Sequence, residues 1–105
     1  MAKYLLVYHG GGGMETDPAK QEALMSAWMG WFGSLGAAVV DGGNPVGRAW
    51  TVSAAGTDDN GGANPATGYS VLEAASMDAA LVMAKGCPIL AAGGTVELCE
   101  TFNAG

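Results

Sequence analysis

Histidine is nearly missing from this chain, and positive charge is scarce. His9 is the only histidine, and Lys3, Lys20, Arg48 and Lys85 are the only cations in 105 residues, against ten Asp and Glu. The net charge is −6, and the four cations are scattered rather than gathered into a stripe. That argues against a nucleic-acid partner and against docking on an anionic membrane surface. The two cysteines, Cys87 and Cys99, lie in no CxxC or other metal-ligand spacing. One histidine and scattered carboxylates make no zinc or iron ligand set, so no metal and no cofactor is expected. No apolar run approaches the ~20 residues of a membrane span. The first such run, Tyr4 to Tyr8, is too short for a secretory signal and leads into His9 and glycines. The expectation is a cytoplasmic protein with free thiols. His9-Gly10-Gly11-Gly12 would suit an esterase oxyanion loop only beside a GxSxG elbow, which is absent. The glycines precede Met14-Glu15 and no lysine, which rejects a phosphate loop.

What is present is a single domain, residues 1–105, half of them hydrophobic, with 18 glycines placed at breaks between apolar runs. The segment from Asp17 to Gly36 organises it. Asp17 is a good N-cap, and Pro18 stands at the first helical position, where its missing N–H costs nothing. In the helix that follows, Leu24, Met25, Trp28, Met29, Trp31, Phe32 and Leu35 share a stripe roughly 160° wide. A helix lying on one sheet needs only about 100°. Either the whole stripe is core, or the surplus around Met25, Met29 and Phe32 meets another protomer, a loop or a small apolar ligand.

The remaining elements follow in order. Lys3 to Tyr8 is a central strand, apolar on both faces, followed by a glycine loop to Asp17. Ala37 to Asp41 is a second strand, closed by Gly42-Gly43-Asn44-Pro45. Arg48 to Ala54 alternates Trp50 and Val52 with Thr51 and Ser53, which predicts a half-buried strand hairpinned to the second. Ala55 to Thr67 reads as a polar loop, and Gly68 to Ala75 as a strand. Ser76 caps a second helix whose buried stripe is Met77, Ala80, Leu81 and Ala84. Gly86-Cys87-Pro88 ends it, and Thr95 to Phe102 is the last strand.

The order β-α-β-β-β-α-β is a split βαβ pattern with one added strand. The fold class is therefore α+β, ferredoxin-like, with two helices on one face of an antiparallel sheet. Tyr4, Leu6, Tyr8, Trp50 and Leu72 suggest that the uncovered face is apolar. A bare apolar face of several hundred Å² is unusual in a soluble monomer, so a homodimer through the sheet face is expected.

The opening KYLLVY, the AAVVDGG segment, GYSVLEAASMDAALVMAKGCP and the closing GGTVELCETF resemble the YCII-related, or DGPF-type, domain over nearly the whole chain. That resemblance implies a dimeric α+β barrel with a cavity between sheet and helices, and it permits a regulatory role. The histidine and aspartate proposed as catalytic in one branch of that family fall near Met25 and at Cys87, so that activity is not carried over.

Two functions follow. In the first the chain is a non-catalytic dimeric module with an apolar cavity, binding a small organic ligand or a regulatory partner. In the second it is a cofactor-independent enzyme acting on a small organic substrate. There His9 is the acid/base and Asp41, leaving the sheet at the same edge, orients it. A histidine making only a local hydrogen bond is the plainer reading of His9. The ligand-binding residues in both are Met25, Trp28, Met29, Phe32, Tyr69 and Arg48.

Overall fold

The structure, a computed structural model, describes residues 1–11 and 17–103. Most of the expected glycine loop after the first strand therefore lies outside the described residues. Strand β1 (Ala2–His9) leads to helix α1 (Pro18–Leu35), a 3-10 turn (Gly36–Ala38) and β2 (Val39–Asp41). A hairpin of β3 (Thr51–Ser53) and β4 (Gly56–Asp58) comes next. It is followed by β5 (Ala66–Ala74), α2 (Met77–Ala84), a second 3-10 turn (Pro88–Leu90) and β6 (Thr95–Glu100).

The main sheet has the order β2-β5-β1-β6, with every neighbouring pair antiparallel. The chain passes from β1 through α1 to β2, stepping over β5, and from β5 through α2 to β6, stepping over β1. This α+β arrangement of four strands and two helices is compatible with a ferredoxin-like fold. The helix starts are set as the sequence predicts. Asp17 accepts a hydrogen bond from the Ala19 amide at 3.0 Å, and Ser76 accepts one from the Ala79 amide at 3.1 Å. Gly36, at φ 56°, ends α1 in a conformation that favours glycine.

Period-two alternation decides the faces, and it reverses the expectation for the sheet. Tyr4, Leu6 and Tyr8 of β1 and Ser70, Leu72 and Ala74 of β5 are buried under the helices. With Trp31, Ala80, Ala84, Cys87 and Ile89 they make the core. The uncovered face carries the alternate set, with half-buried Leu5, Val7, Tyr69, Val71 and Cys99. A strand apolar on both faces gives no sign of which set the helices take, because either one buries similar area.

Helix α1 uses only part of its stripe. Trp31 is buried and Trp28, Phe32 and Leu35 pack against the core, while Met25 and Met29 are 66% and 70% exposed. Four aromatic rings fill the layer between this helix and the sheet. Tyr8 meets Trp28 edge-on at 5.1 Å between centroids, Trp28 meets Trp31 edge-on at 5.8 Å, and Phe32 leans on Trp31 at 5.0 Å. The Trp31 indole N–H donates to the Met83 carbonyl at 3.0 Å and ties α1 to α2. In α2, Met83 rather than Leu81 joins the core, and Leu81 is 42% exposed.

The third strand was expected beside the second; it pairs instead with β4, inside the segment that reads as a loop. Every residue of β3 and β4 is exposed. The hairpin forms an arm on the body, in keeping with extents of 45 × 43 × 18 Å and a radius of gyration of 15.0 Å, against about 13 Å for a compact chain of this length. Within the arm, Arg48 pairs with Asp59 at 3.1 Å and stacks over Trp50 at 5.4 Å, and the Thr51 hydroxyl donates to the Asn60 carbonyl at 2.7 Å. No apolar period marks β4, because a two-stranded ribbon exposed on both faces has no core face to encode.

Candidate functional site

His9 is the last residue of β1 and belongs to the uncovered face, in the alternate set to Tyr8. It lies opposite Thr95 of β6 and Ala66 of β5. The approach of β6 depends on Gly94, where a Cβ would stand 2.6 Å from both the His9 carbonyl and the Ile89 side chain. The ring is 8% exposed as part of its residue, and both nitrogens are engaged. Nε2 lies 3.0 Å from a Glu97 carboxylate oxygen, and Nδ1 lies 3.3 Å from the Pro65 carbonyl.

Both partners are acceptors. Only the imidazolium carries an N–H on each nitrogen, so only that form satisfies both bonds. The direction of the pKa agrees. The hydrogen bond to Glu97 raises it most, burial pulls it down, and the Pro65 and Asn64 backbone and the Glu97 charge raise it further. An imidazolium held this way is a donor and a local positive charge. It has no free lone pair with which to take a proton.

The expected partner of His9 is not its partner here. Asp41 accepts a hydrogen bond from the Gly43 amide at 2.8 Å and closes the turn after β2. In register it lies across from Val71, whereas His9 lies across from Ala66, five residues earlier on β5. The carboxylate at His9 is Glu97, two places beyond Thr95 on the adjacent strand. The signal for it was the alternation Thr95-Val96-Glu97, which puts Glu97 on the face opposite Val96.

The expected apolar wall is also divided. Trp28 and Phe32 are packed in the aromatic layer under α1, and Met25 and Met29 point outward. Tyr69 is on the other side of the sheet, where its hydroxyl accepts from Asn44 Nδ2 at 3.4 Å. Arg48 belongs to the arm and is paired with Asp59. These residues do not line one space. An open groove of about 530 Å³ runs instead between Lys20, Ala23, Leu24 and Ala27 of α1 and Gly86, Pro88, Ala91 and Ala92 after α2. The spacing 20, 23, 24, 27 is itself one helical ridge; Leu24 belongs to the predicted stripe, whereas Ala23 and Ala27 carry no local signal that marks them.

A second cluster lies on the sheet's covered face, beneath the helices. The Tyr8 hydroxyl donates to Ser70 Oγ, which donates to the Gly42 carbonyl, both at 2.7 Å. Burial pushes the Tyr8 phenol up to about 12. Cys87 is buried and its thiol is raised by that burial, which makes it packing rather than a nucleophile. Among the described residues no three His, Cys, Asp or Glu side chains gather as a metal site. Among them, too, no helix is long and apolar enough to cross a membrane.

Comparison of the chain with protein-family models, with curated proteins and with solved structures finds no match in any of the three.

Proposed function

We propose that this protein is a dimeric module that binds a small organic ligand or a regulatory partner and does not catalyse a reaction. The observation that carries this reading is the state of His9. The one residue suited to acid/base work near neutrality has both nitrogens committed to acceptors within the fold. The dimer rests on the uncovered sheet face, where Leu5, Val7, Val71 and Cys99 are apolar and only half-buried. Two such faces stacked in a ferredoxin-like pair would give the dimeric α+β barrel that the resemblance to YCII-related domains implies, in a cytoplasmic setting. The ligand surface is the outward side of α1, where Met25 and Met29 stand clear of the core on one flank and the groove runs along the other.

The test is sedimentation of the full chain at micromolar concentration, followed by titration with a fluorescent apolar probe. The expected result is a mass of two chains, with probe binding weakened when Ala23→Leu and Ala27→Leu fill the groove. A mass of one chain, or binding indifferent to those changes, overturns the reading.

One observation favours a cofactor-independent enzyme instead. An imidazolium hydrogen-bonded to a carboxylate is a competent general acid. That reading requires turnover of a small organic substrate that His9→Ala abolishes.

A further inference from the structure

The arm joins the body by two unlike connections. Its outgoing side is held by backbone. The Tyr69 amide donates to the Asn44 carbonyl at 3.2 Å, the Val46 amide donates to the Thr67 carbonyl at 3.1 Å, and Pro45 bridges to Gly68. Its returning side enters the sheet at Ala66, which pairs with His9, and at Thr67, whose hydroxyl donates to the Gly10 carbonyl at 3.0 Å; just ahead of them the Pro65 carbonyl meets the ring of His9. At the neck, Gly61 lies so close to Pro65 and Ala49 that a Cβ would stand 2.7 Å and 3.1 Å from theirs. Beyond the neck the hairpin is held by contacts within the arm itself, and every residue of its two strands is exposed; an isolated two-stranded hairpin is marginal in water.

We infer that His9 is a proton-operated clamp that fastens the returning side of the arm, through Pro65, to the edge of β1 and β6, and that loss of one ring proton releases it. The charge balance is simple. In the imidazolium each nitrogen donates, one proton to Glu97 and one to Pro65. After one proton leaves to solvent, the ring has one N–H and one lone pair. The remaining proton stays with the carboxylate, because a charged acceptor at 3.0 Å holds it more strongly than a neutral carbonyl at 3.3 Å. The Nδ1 lone pair then faces the Pro65 carbonyl, two acceptors together, and the contact opens. Among the described residues Glu97, from β6, is the charged group facing the ring. Thr95 lies directly across, the segment before β5 contributes the backbone of Asn64 and Pro65, and Arg48 and Asp59 of the arm are bound to each other. The clamp does not depend on the proposed function, since it needs neither a ligand nor a dimer.

Nuclear magnetic resonance of the full chain tests it, following the His9 ring signals and the backbone order of residues 51–58 from about pH 5 to about pH 9. The expected result is a loss of order in the arm, and a shift of the Ala66 amide signal, with the same midpoint as the His9 titration, while residues 68–74 are unchanged. Glu97→Gln removes the charge that favours the imidazolium and should move both midpoints together to lower pH. His9→Phe should leave the arm loose at every pH. Arm order that stays flat through the His9 titration, midpoints that Glu97→Gln separates, or a sheet that loosens with the arm would each overturn the clamp.

Discussion

Tyr8 and Ser70 share a 2.7 Å hydrogen bond inside the sheet, and Ser70 passes it on to the carbonyl of Gly42. Both side chains are almost fully shielded from water. The relay joins β1, β5 and the turn after β2. Its two ends are not equivalent. Ser70→Ala leaves the phenol and the Gly42 carbonyl without partners in a dry site and should cost about 1–3 kcal/mol. Tyr8→Phe leaves Ser70 bonded to Gly42 and should cost about 1 kcal/mol. Urea denaturation of the two variants checks the order.

The same burial makes the fold sensitive to alkali. The folded pKa of Tyr8 is raised to about 12, above the unfolded value near 10. The neutral phenol is thus favoured in the native state. Its contribution is complete below about pH 10 and is lost as pH rises through about 12. A phenolate titration followed by absorbance should show Tyr8 ionising late, together with loss of near-ultraviolet circular dichroism. Tyr8→Phe should remove that late step.

His9 predicts a second pH dependence, nearer neutrality. Its folded pKa is raised, chiefly by the hydrogen bond to Glu97. The contribution is full below the unfolded value near 6.5 and declines as pH rises through the folded value. Denaturation midpoints between about pH 6 and pH 9 should fall in the native chain. They should flatten in Glu97→Gln.

Glycines separate into those that shape the chain and those that only weaken it. Gly43, at φ 75°, would place a Cβ 1.7 Å from the Tyr69 carbonyl oxygen. Gly43→Ala should therefore cost more than ~2 kcal/mol, since the backbone itself must move. Gly30 lies within α1 with nothing within 4 Å of its Cβ position. Gly30→Ala should stabilise by about 0.5–1 kcal/mol. Thermal melts of the two variants should move in opposite directions.

Elements with strong local signals were legible in the sequence. Asp17-Pro18 and Ser76 began their helices where capping chemistry requires, and the strand at Tyr4–Tyr8 is central. The signals failed where tertiary contacts decide. The alternation of Tyr4, Leu6 and Tyr8 against Leu5 and Val7 is legible, but the face the helices choose is not. The pairing of Thr51–Ser53 with Gly56–Asp58 is set by a two-residue turn at Ala54–Ala55 leading into Gly56, at φ 139°, and has no hydrophobic period behind it. His9 was legible as a singular residue. Glu97, its partner 88 positions away, became visible only when the register of β1 on β6 was known.

The proposed dimer makes the sharpest demand on the uncovered face. Its half-buried apolar residues, Leu5, Val7 and Val71, belong to the two inner strands, so a stacked second copy would bury them together. Val71→Lys places a charge at the centre of that contact. In the monomer this side chain points away from the helices and the aromatic layer, so the protomer should keep its fold. The dimer should not tolerate it, because desolvating a lysine among Leu5 and Val7 costs more than the lost apolar contact. Met25→Gln with Met29→Gln is the control. Those methionines are exposed on the far side of the molecule, and their replacement should leave both fold and dimer intact while weakening an apolar probe. Sedimentation at micromolar concentration, with circular dichroism to monitor the fold, distinguishes the two surfaces. A folded one-chain mass for Val71→Lys and a two-chain mass for the methionine pair would put the partner on the sheet. The reverse pattern would put it on α1 and remove the barrel from the proposal.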